Sequence, residues 1–276
     1  MAGDGGWFGK LKEACARLCG AGPLDPTGVR LPPARLQSRQ GYVSLHFRRG
    51  QTQSRMRGDA PDSLLIDYTR TMLGALLWRP RPRCIGIVGL GGGSQVKFLH
   101  RHLPQARLEV VENHPGVIGL RRAFGIPDDD ARLHVRLDDG ARFIAARPAR
   151  YDLLLVDGYD AAGIPAALST AAFHRACRDA LAAGGVMASN LHGDGCAPYI
   201  MQLRDVFGGD RVLVVQEAKM SNRVVFAWLG EGPRGDDADL QAARAALDGD
   251  GWHELAPAFQ QVARELALRS DPACAS

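Results

Sequence analysis

The sequence predicts a doubly wound α/β fold whose sheet is mostly parallel and closes on a terminal antiparallel hairpin. Three observations carry this. Between residues 84 and 191, five strand-like apolar runs alternate with segments of helical periodicity. Strands spaced in this way can be joined only by crossovers, which makes them parallel and lays helices over the sheet. A glycine-rich turn, Gly89-Leu90-Gly91-Gly92-Gly93-Ser94, follows the first run, at the carboxyl end of a strand where such sheets bind ligands. Lastly, the runs 211–216 and 223–229 are too close for a helix between them and must pair antiparallel.

In chain order, residues 7–19 place Trp7, Leu11, Cys15 and Leu18 at helical spacing, ahead of a Gly/Pro-rich stretch at 20–33. Residues 41–57 read as two short strands around Arg49-Gly50, a hairpin too small to stand alone. From Ser63 to Trp78 apolar residues recur at helical intervals until Pro80 and Pro82 stop the pattern. The alternation then runs strand 84–90, helix 94–103, strand 107–112, helix 115–124, strand 132–137, helix 141–147, strand 151–157, helix 170–182 and strand 186–191. The closing hairpin is the ending of a methyltransferase-like Rossmann fold, whereas a nicotinamide dehydrogenase continues into a second βαβ half. The chain thus divides into an N-terminal helix and β-hairpin appendage (1–60), a Rossmann-like domain (61–235) and a helical, polar C-terminal segment (236–276) with no assignable chemistry.

With 276 residues, 46% hydrophobic and 23% charged, the chain has the apolar content for one sizeable core, and wholesale disorder is excluded. Its basic residues are almost all arginine, the lysines being Lys10, Lys12, Lys97 and Lys219. They intersperse with carboxylates to a net charge of +4 without a basic block, the pattern of a mixed solvated surface and not of a nucleic-acid footprint. Six cysteines, at 15, 19, 84, 177, 196 and 274, lack both disulfide-scaffold density and zinc-site spacing. Reduced thiols in a cytoplasm fit this usage. No export signal is expected at the N-terminus, and no apolar run reaches the ~18 residues of a membrane span.

The candidate site gathers at the strand ends. Glycines at 89, 91 and 92 permit positive φ and close approach of a ligand to backbone N–H groups, although a tight turn alone also uses glycine. The pattern departs from G-x-G-x-x-G because Ser94 stands at the last position. Glu112 ends the second strand about 20 residues on, where a carboxylate accepts both ribose hydroxyls of a nucleoside. Asp138-Asp139-Gly140-Ala141 closes the third strand, where Asp139 serves either the adenine edge or the N-cap of the next helix, or both. The fourth ends in Asp157-Gly158-Tyr159-Asp160, two carboxylates over the crevice where a cationic amine gives them a purpose; the alternative is a solvated turn.

The runs IGIVGLGGGSQVKFL, VVEN, LDDGARFI, YDLLLVDGYD and GGVMASNL resemble, in order and spacing, the spermidine synthase family of polyamine aminopropyltransferases over roughly residues 40–230. The resemblance implies a small N-terminal β element before a methyltransferase-like Rossmann domain, decarboxylated S-adenosylmethionine as donor, and a role in polyamine biosynthesis. It implies that Glu112 holds the ribose, Asp139, Gly140 and Ala141 the adenine, and Gly89, Gly91 and Gly92 the turn, with Gln53 beside the donor. Asp157 and Asp160 match the two aspartates of the D-S-[ST]-D-P gate motif, with Tyr159 between them. The chain departs from the family at three places: Gly92 stands where an aspartate grips the donor's propylamine, Thr69-Arg70-Thr71 where Tyr-His-Glu shapes the polyamine pocket, and Ala161 where the gate has proline.

The leading expectation is a transferase in which an amine attacks the carbon beside a sulfonium, with Asp157 and Asp160 orienting it and taking its proton and Tyr159 in the gate. Two rivals share the scaffold: a methyltransferase using S-adenosylmethionine, with Arg70 pairing the donor's carboxylate, and a nucleoside-binding homologue without turnover. No metal is expected, because His100, His102 and His114 read as solvated or capping residues. The expected partners are a small-molecule amine and a second copy of the chain in a homodimer, without nucleic acid or membrane.

Overall fold

The computed structural model describes residues 22–48, 52–159 and 163–270. The helix expected at 7–19, the Arg49-Gly50 turn, and Asp160 with Ala161 lie outside these. Near the N-terminus, β1 (Arg35–Arg39), β2 (Tyr42–His46) and β3 (Thr52–Arg57) form an antiparallel sheet. It has one strand more than the two expected, because Arg35–Arg39 is exposed except for half-buried Leu36 and carries no apolar alternation. Its neighbours do: Val43 and Leu45 of β2 and Met56 of β3 are buried in the main core.

The main sheet is built from β4 (Cys84–Val88), β5 (Arg107–Glu112), β6 (Leu133–Leu137), β7 (Tyr151–Val156), β8 (Leu181–His192), β9 (Val212–Gln216) and β10 (Asn222–Trp228). Their order is β6-β5-β4-β7-β8-β10-β9, with β10 antiparallel to both neighbours and β4 to β8 parallel. β4 and β7 are central and covered on both faces, which is why their sequences read as unbroken apolar runs.

The helices are α1 (Asp67–Met72), α2 (Ser94–His102), α3 (Pro115–Gly119), α4 (Gly140–Ala145), α5 (Ala171–Ala180), α6 (Ala197–Phe207), α7 (Asp237–Ala246) and α8 (Gly249–Ser270). Three differences from expectation have physical causes. The 63–78 helix is α1 followed by a tighter turn at Leu73–Leu77, all buried; periodicity over so few residues does not separate 3.0 from 3.6 residues per turn. The 115–124 helix breaks after Gly119 and resumes as a tight turn closed by left-handed Gly125. α6, which carries the crossover from β8 to β9, was not foreseen, its exposed Met201 diluting the apolar face.

The C-terminal segment is not simply polar. Leu255, Phe259, Val262 and Leu266 of α8 form a helical stripe buried in the same core as Ile85, Ile87 and Phe226. Its alternation with charged residues hides this in average polarity. Among the described residues, no helix is long and apolar enough to cross a membrane.

Lys97 of α2 is 2% exposed; its Nζ donates to the Phe124 carbonyl at 2.8 Å and lies 3.1 Å from Met56 Sδ, tying β3 to the main domain. Burial lowers its pKa from 10.5 to about 8. The unfolded chain therefore holds this proton more tightly, so the penalty is full below pH 8 and relieved as pH rises towards 10.5. At ~1.4 kcal/mol per pH unit, the penalty is on the order of 3 kcal/mol. Lys97→Met is expected to abolish this rise; urea denaturation of both proteins at neutral and alkaline pH checks it.

Candidate active site

A cavity of about 580 Å³ opens over the carboxyl ends of β4, β5, β7 and β8, with Gln53 and Ser54 of β3 as one wall and Tyr68 and Thr69 of α1 as another. That volume falls within the ~300–1,000 Å³ of small-molecule sites. Gln53, Gly89, Gly91, Glu112, Asp139, Gly140, Asp157 and Tyr159, all expected at the site, line it together. Gly92 and Ala141 are not in its wall, and Asp160 lies outside the described residues.

The glycine turn is shaped by what touches it. Gly89 has φ +95°, and a Cβ there would lie 2.4 Å from the Asp157 carbonyl oxygen. Only glycine lets the first and fourth strand ends approach this closely. Gly92 is buried behind the turn; a Cβ there would lie 2.5 Å from Ser54 Oγ and 3.0 Å from the Phe124 ring. There is therefore no room for the acidic side chain the family places at this position. Gly92→Asp is expected to destabilise the protein by about 1–3 kcal/mol instead of improving the site, as a thermal melt would register.

At the end of β5, Glu112 is 8% exposed and held by two backbone donors: Leu90 N–H to Oε2 and His114 N–H to Oε1, both 2.8 Å. Its carboxylate is thus oriented by the turn and by the start of α3. Burial raises its pKa, while these amides, and that of Gly91, oppose the rise. The carboxylate keeps acceptor capacity beyond these amides for a further donor. Asp139 caps α4, accepting from Arg142 N–H at 2.9 Å, so the capping reading holds while the residue also borders the cavity.

At the end of β7, Asp157 accepts from the Tyr68 hydroxyl at 3.1 Å and from Asn190 Nδ2 at 2.9 Å. Burial raises its pKa, partly offset by those two hydrogen bonds. Burial and the facing Asp157 charge push the Tyr68 hydroxyl well above its ordinary range, so it stays protonated and donates. Asn190 Oδ1 in turn accepts from Asn222 Nδ2 at 2.8 Å. Tyr159 donates to the Asn190 carbonyl at 3.0 Å, which fixes the gate tyrosine to β8.

Tyr68, Asn190 and Asn222 were not among the candidates. Their signals were faint: a tyrosine immediately before the Thr69-Arg70-Thr71 stretch, and single polar residues at the ends of apolar strands. Arg70 corrects an expectation. Its guanidinium bonds Asp67 at 2.7 Å and Glu254 of α8 at 3.2 Å and is absent from the cavity wall. It neither repels an amine there nor reaches a donor's carboxylate; Tyr68 and Thr69 of the same helix face the cavity instead.

Among the described residues no lysine or arginine lines the cavity, and no group of three or more His, Cys, Asp or Glu side chains could hold a metal. His102, expected to be solvated, is buried against Phe98 and paired with Asp248 at 2.8 Å. That partner comes from a residue 146 positions away, which no local pattern reveals. His114 caps α3, accepting from Gly116 N–H at 3.1 Å.

Residues 67–193 match the spermine/spermidine synthase domain. A polyamine aminopropyltransferase of Chromobacterium violaceum is 34% identical over 208 residues, covering 74% of this chain and 79% of its own. Among solved structures, a probable spermidine synthase from Corynebacterium glutamicum superposes with a TM-score of 0.63 at 21% identity, covering 79% of this chain and 84% of its own. Human methyltransferase-like protein 13 in complex with SAH superposes with a TM-score of 0.58 at 22% identity, covering 71% of this chain and 93% of its own. These two similarities concern the fold: a Rossmann sheet of the methyltransferase type.

Proposed function

The chain belongs to the spermine/spermidine synthase family of polyamine aminopropyltransferases, and from that premise we propose that its cavity transfers an aminopropyl group from decarboxylated S-adenosylmethionine to an amine. The observation that carries this reading is the pairing of two buried carboxylates in one cavity: Glu112, pinned beside the glycine turn, and Asp157, held between Tyr68 and Asn190.

Glu112 accepts the ribose hydroxyls on its remaining lone pairs, and Gly89 and Gly91 let the sulfonium nucleoside lie against the turn. Asp139 and Gly140 border the adenine end. The acceptor amine lies on the Asp157 side. Its lone pair attacks the carbon next to sulfur, and the carbon–sulfur bond breaks with its electron pair going to sulfur, leaving the extended amine as an ammonium ion that keeps its proton at neutral pH. Methylthioadenosine and the extended amine leave. An ordinary amine is protonated at neutral pH, so it must first give up a proton, to Asp157 directly or through water. Burial raises the Asp157 pKa and so makes it a better base than a solvated aspartate. Positioning of the two reactants supplies up to ~7–11 kcal/mol of the remaining advantage.

The wall also favours the decarboxylated donor. A donor retaining its carboxylate meets Glu112, Asp139 and Asp157 with no lysine or arginine among the described lining residues to pair it. A thermal-shift comparison tests this: the decarboxylated donor should raise the melting temperature more than S-adenosylmethionine at equal concentration. The reverse order would favour methyl transfer.

A further inference from the structure

The Asp157 carboxylate is the start of a chain of amides whose direction is dictated. An ionised carboxylate can only accept, so Asn190 must turn Nδ2 towards it, at 2.9 Å. Asn190 Oδ1 then faces β10, and Asn222 meets it with Nδ2 at 2.8 Å. This leaves Asn222 Oδ1 buried without a partner, in a residue 3% exposed.

The two asparagines meet because of strand register. Asn190 lies opposite Val224, and Asn222 opposite His192. The pair are thus diagonal neighbours on one face of the sheet, a face otherwise packed by Ala188, Val224 and Phe226. Asn222 is also held by its backbone, whose carbonyl accepts from Glu217 N–H and Gln216 Nε2, each at 3.0 Å. Two amides on an apolar face, one leaving a buried oxygen unpaired, carry a cost in stability. A role at Asp157 gives that cost a purpose.

We propose that Asn222 is a positioning residue which, by donating to Asn190 Oδ1, keeps the Asn190 carboxamide presenting N–H and not C=O to the reacting carboxylate. The proposal rests on the reading of Asp157 as proton acceptor. The groups facing Asp157 are the Tyr68 hydroxyl from α1, the Asn190 carboxamide from β8 and Tyr159 from its own loop, with Cys196 beyond Tyr159. With Tyr68 and Asn190 as its two direct donors, loss of N–H from Asn190 removes half of the support for the charged form.

Two substitutions separate this role from plain packing. Asn222→Leu keeps the branched shape, with somewhat larger bulk, but leaves Asn190 Oδ1 unheld and free to turn. When ionised, Asn222→Asp presents only acceptors, so Asn190 must reverse and show its oxygen to Asp157, which with the added negative charge favours the protonated acid. Infrared difference titration of the Asp157 carboxyl, assigned by its loss in Asp157→Asn, reads this without turnover. The pH profile of methylthioadenosine release from decarboxylated S-adenosylmethionine and a diamine reads it in catalysis. The midpoint is expected to rise by ~0.5–1 pH unit in Asn222→Leu and by ~1–3 in Asn222→Asp, with the acid limb of kcat moving alongside. An Asp157 titration unmoved in both variants overturns the proposal. A wild-type acid limb that does not coincide with the Asp157 titration overturns instead the reading of Asp157 as proton acceptor.

Discussion

Asp157→Asn is expected to lower kcat by ~10²–10⁴, the range for loss of a positioned general base, while donor affinity changes by less than about threefold. The split follows from the geometry. Asp157 sits between Tyr68 and Asn190 at the end of β7, whereas the carboxylate assigned to the nucleoside is Glu112 at the end of β5. Asparagine fills the same space but cannot take a proton from the amine. Loss of fold would not explain the result, because the sign of the linkage runs the other way. Burial raises the Asp157 pKa in the folded chain, so the stability contributed by the neutral acid is lost as pH rises from the unfolded value through the folded one. At neutral pH the ionised side chain is a burden that asparagine removes, and the variant should melt at or above the wild-type temperature. Stopped-time assays of methylthioadenosine at saturating donor, with a melt of each protein, check both halves.

The complementary result is expected at Glu112. Glu112→Ala removes the two ribose contacts at once. At about 1.5–3 kcal/mol for each hydrogen bond to a charged group, donor affinity should fall by ~10²-fold or more, and kcat at saturation by far less than in Asp157→Asn. The amides of Leu90 and His114 also lose their shared acceptor, each now buried beside an empty space. Glu112→Gln separates these effects. Glutamine offers one oxygen, so it can satisfy Leu90 or His114 but not both, and its affinity should lie between wild type and alanine. Calorimetric titration of the donor into the three proteins gives the order. Equal loss of donor affinity at positions 112 and 157 would contradict the division of labour between the two strand ends.

Much of this was legible in the sequence, for identifiable reasons. The order of strands and crossovers follows from period-2 and period-3.6 apolar patterns, and Arg107–Glu112 was bounded to the residue because its run is flanked by turn signals on both sides. Glu112, Asp139 and Asp157 could be singled out because the carboxyl end of a parallel strand is a privileged place for a side chain. Pairing between distant residues was not legible. The sequence offered no sign that Tyr68 reaches Asp157 across 89 positions, or that Glu254 draws Arg70 away from the cavity across 184. Gly92 is instructive in the same way: as a letter it is a missing charge, but in the fold it is the space that Ser54 and Phe124 already fill. Asn190 and Asn222 escaped notice because a lone polar residue at a strand end is unremarkable until register sets two of them side by side.

The most direct test of the account is the mass of the amine recovered after incubation with each donor in turn and a panel of diamines and polyamines. Decarboxylated S-adenosylmethionine is expected to add one aminopropyl group to an acceptor, with methylthioadenosine formed mole for mole, and Asp157→Asn to suppress both. An acceptor that gains a methyl group from S-adenosylmethionine while remaining unchanged with the decarboxylated donor would contradict it.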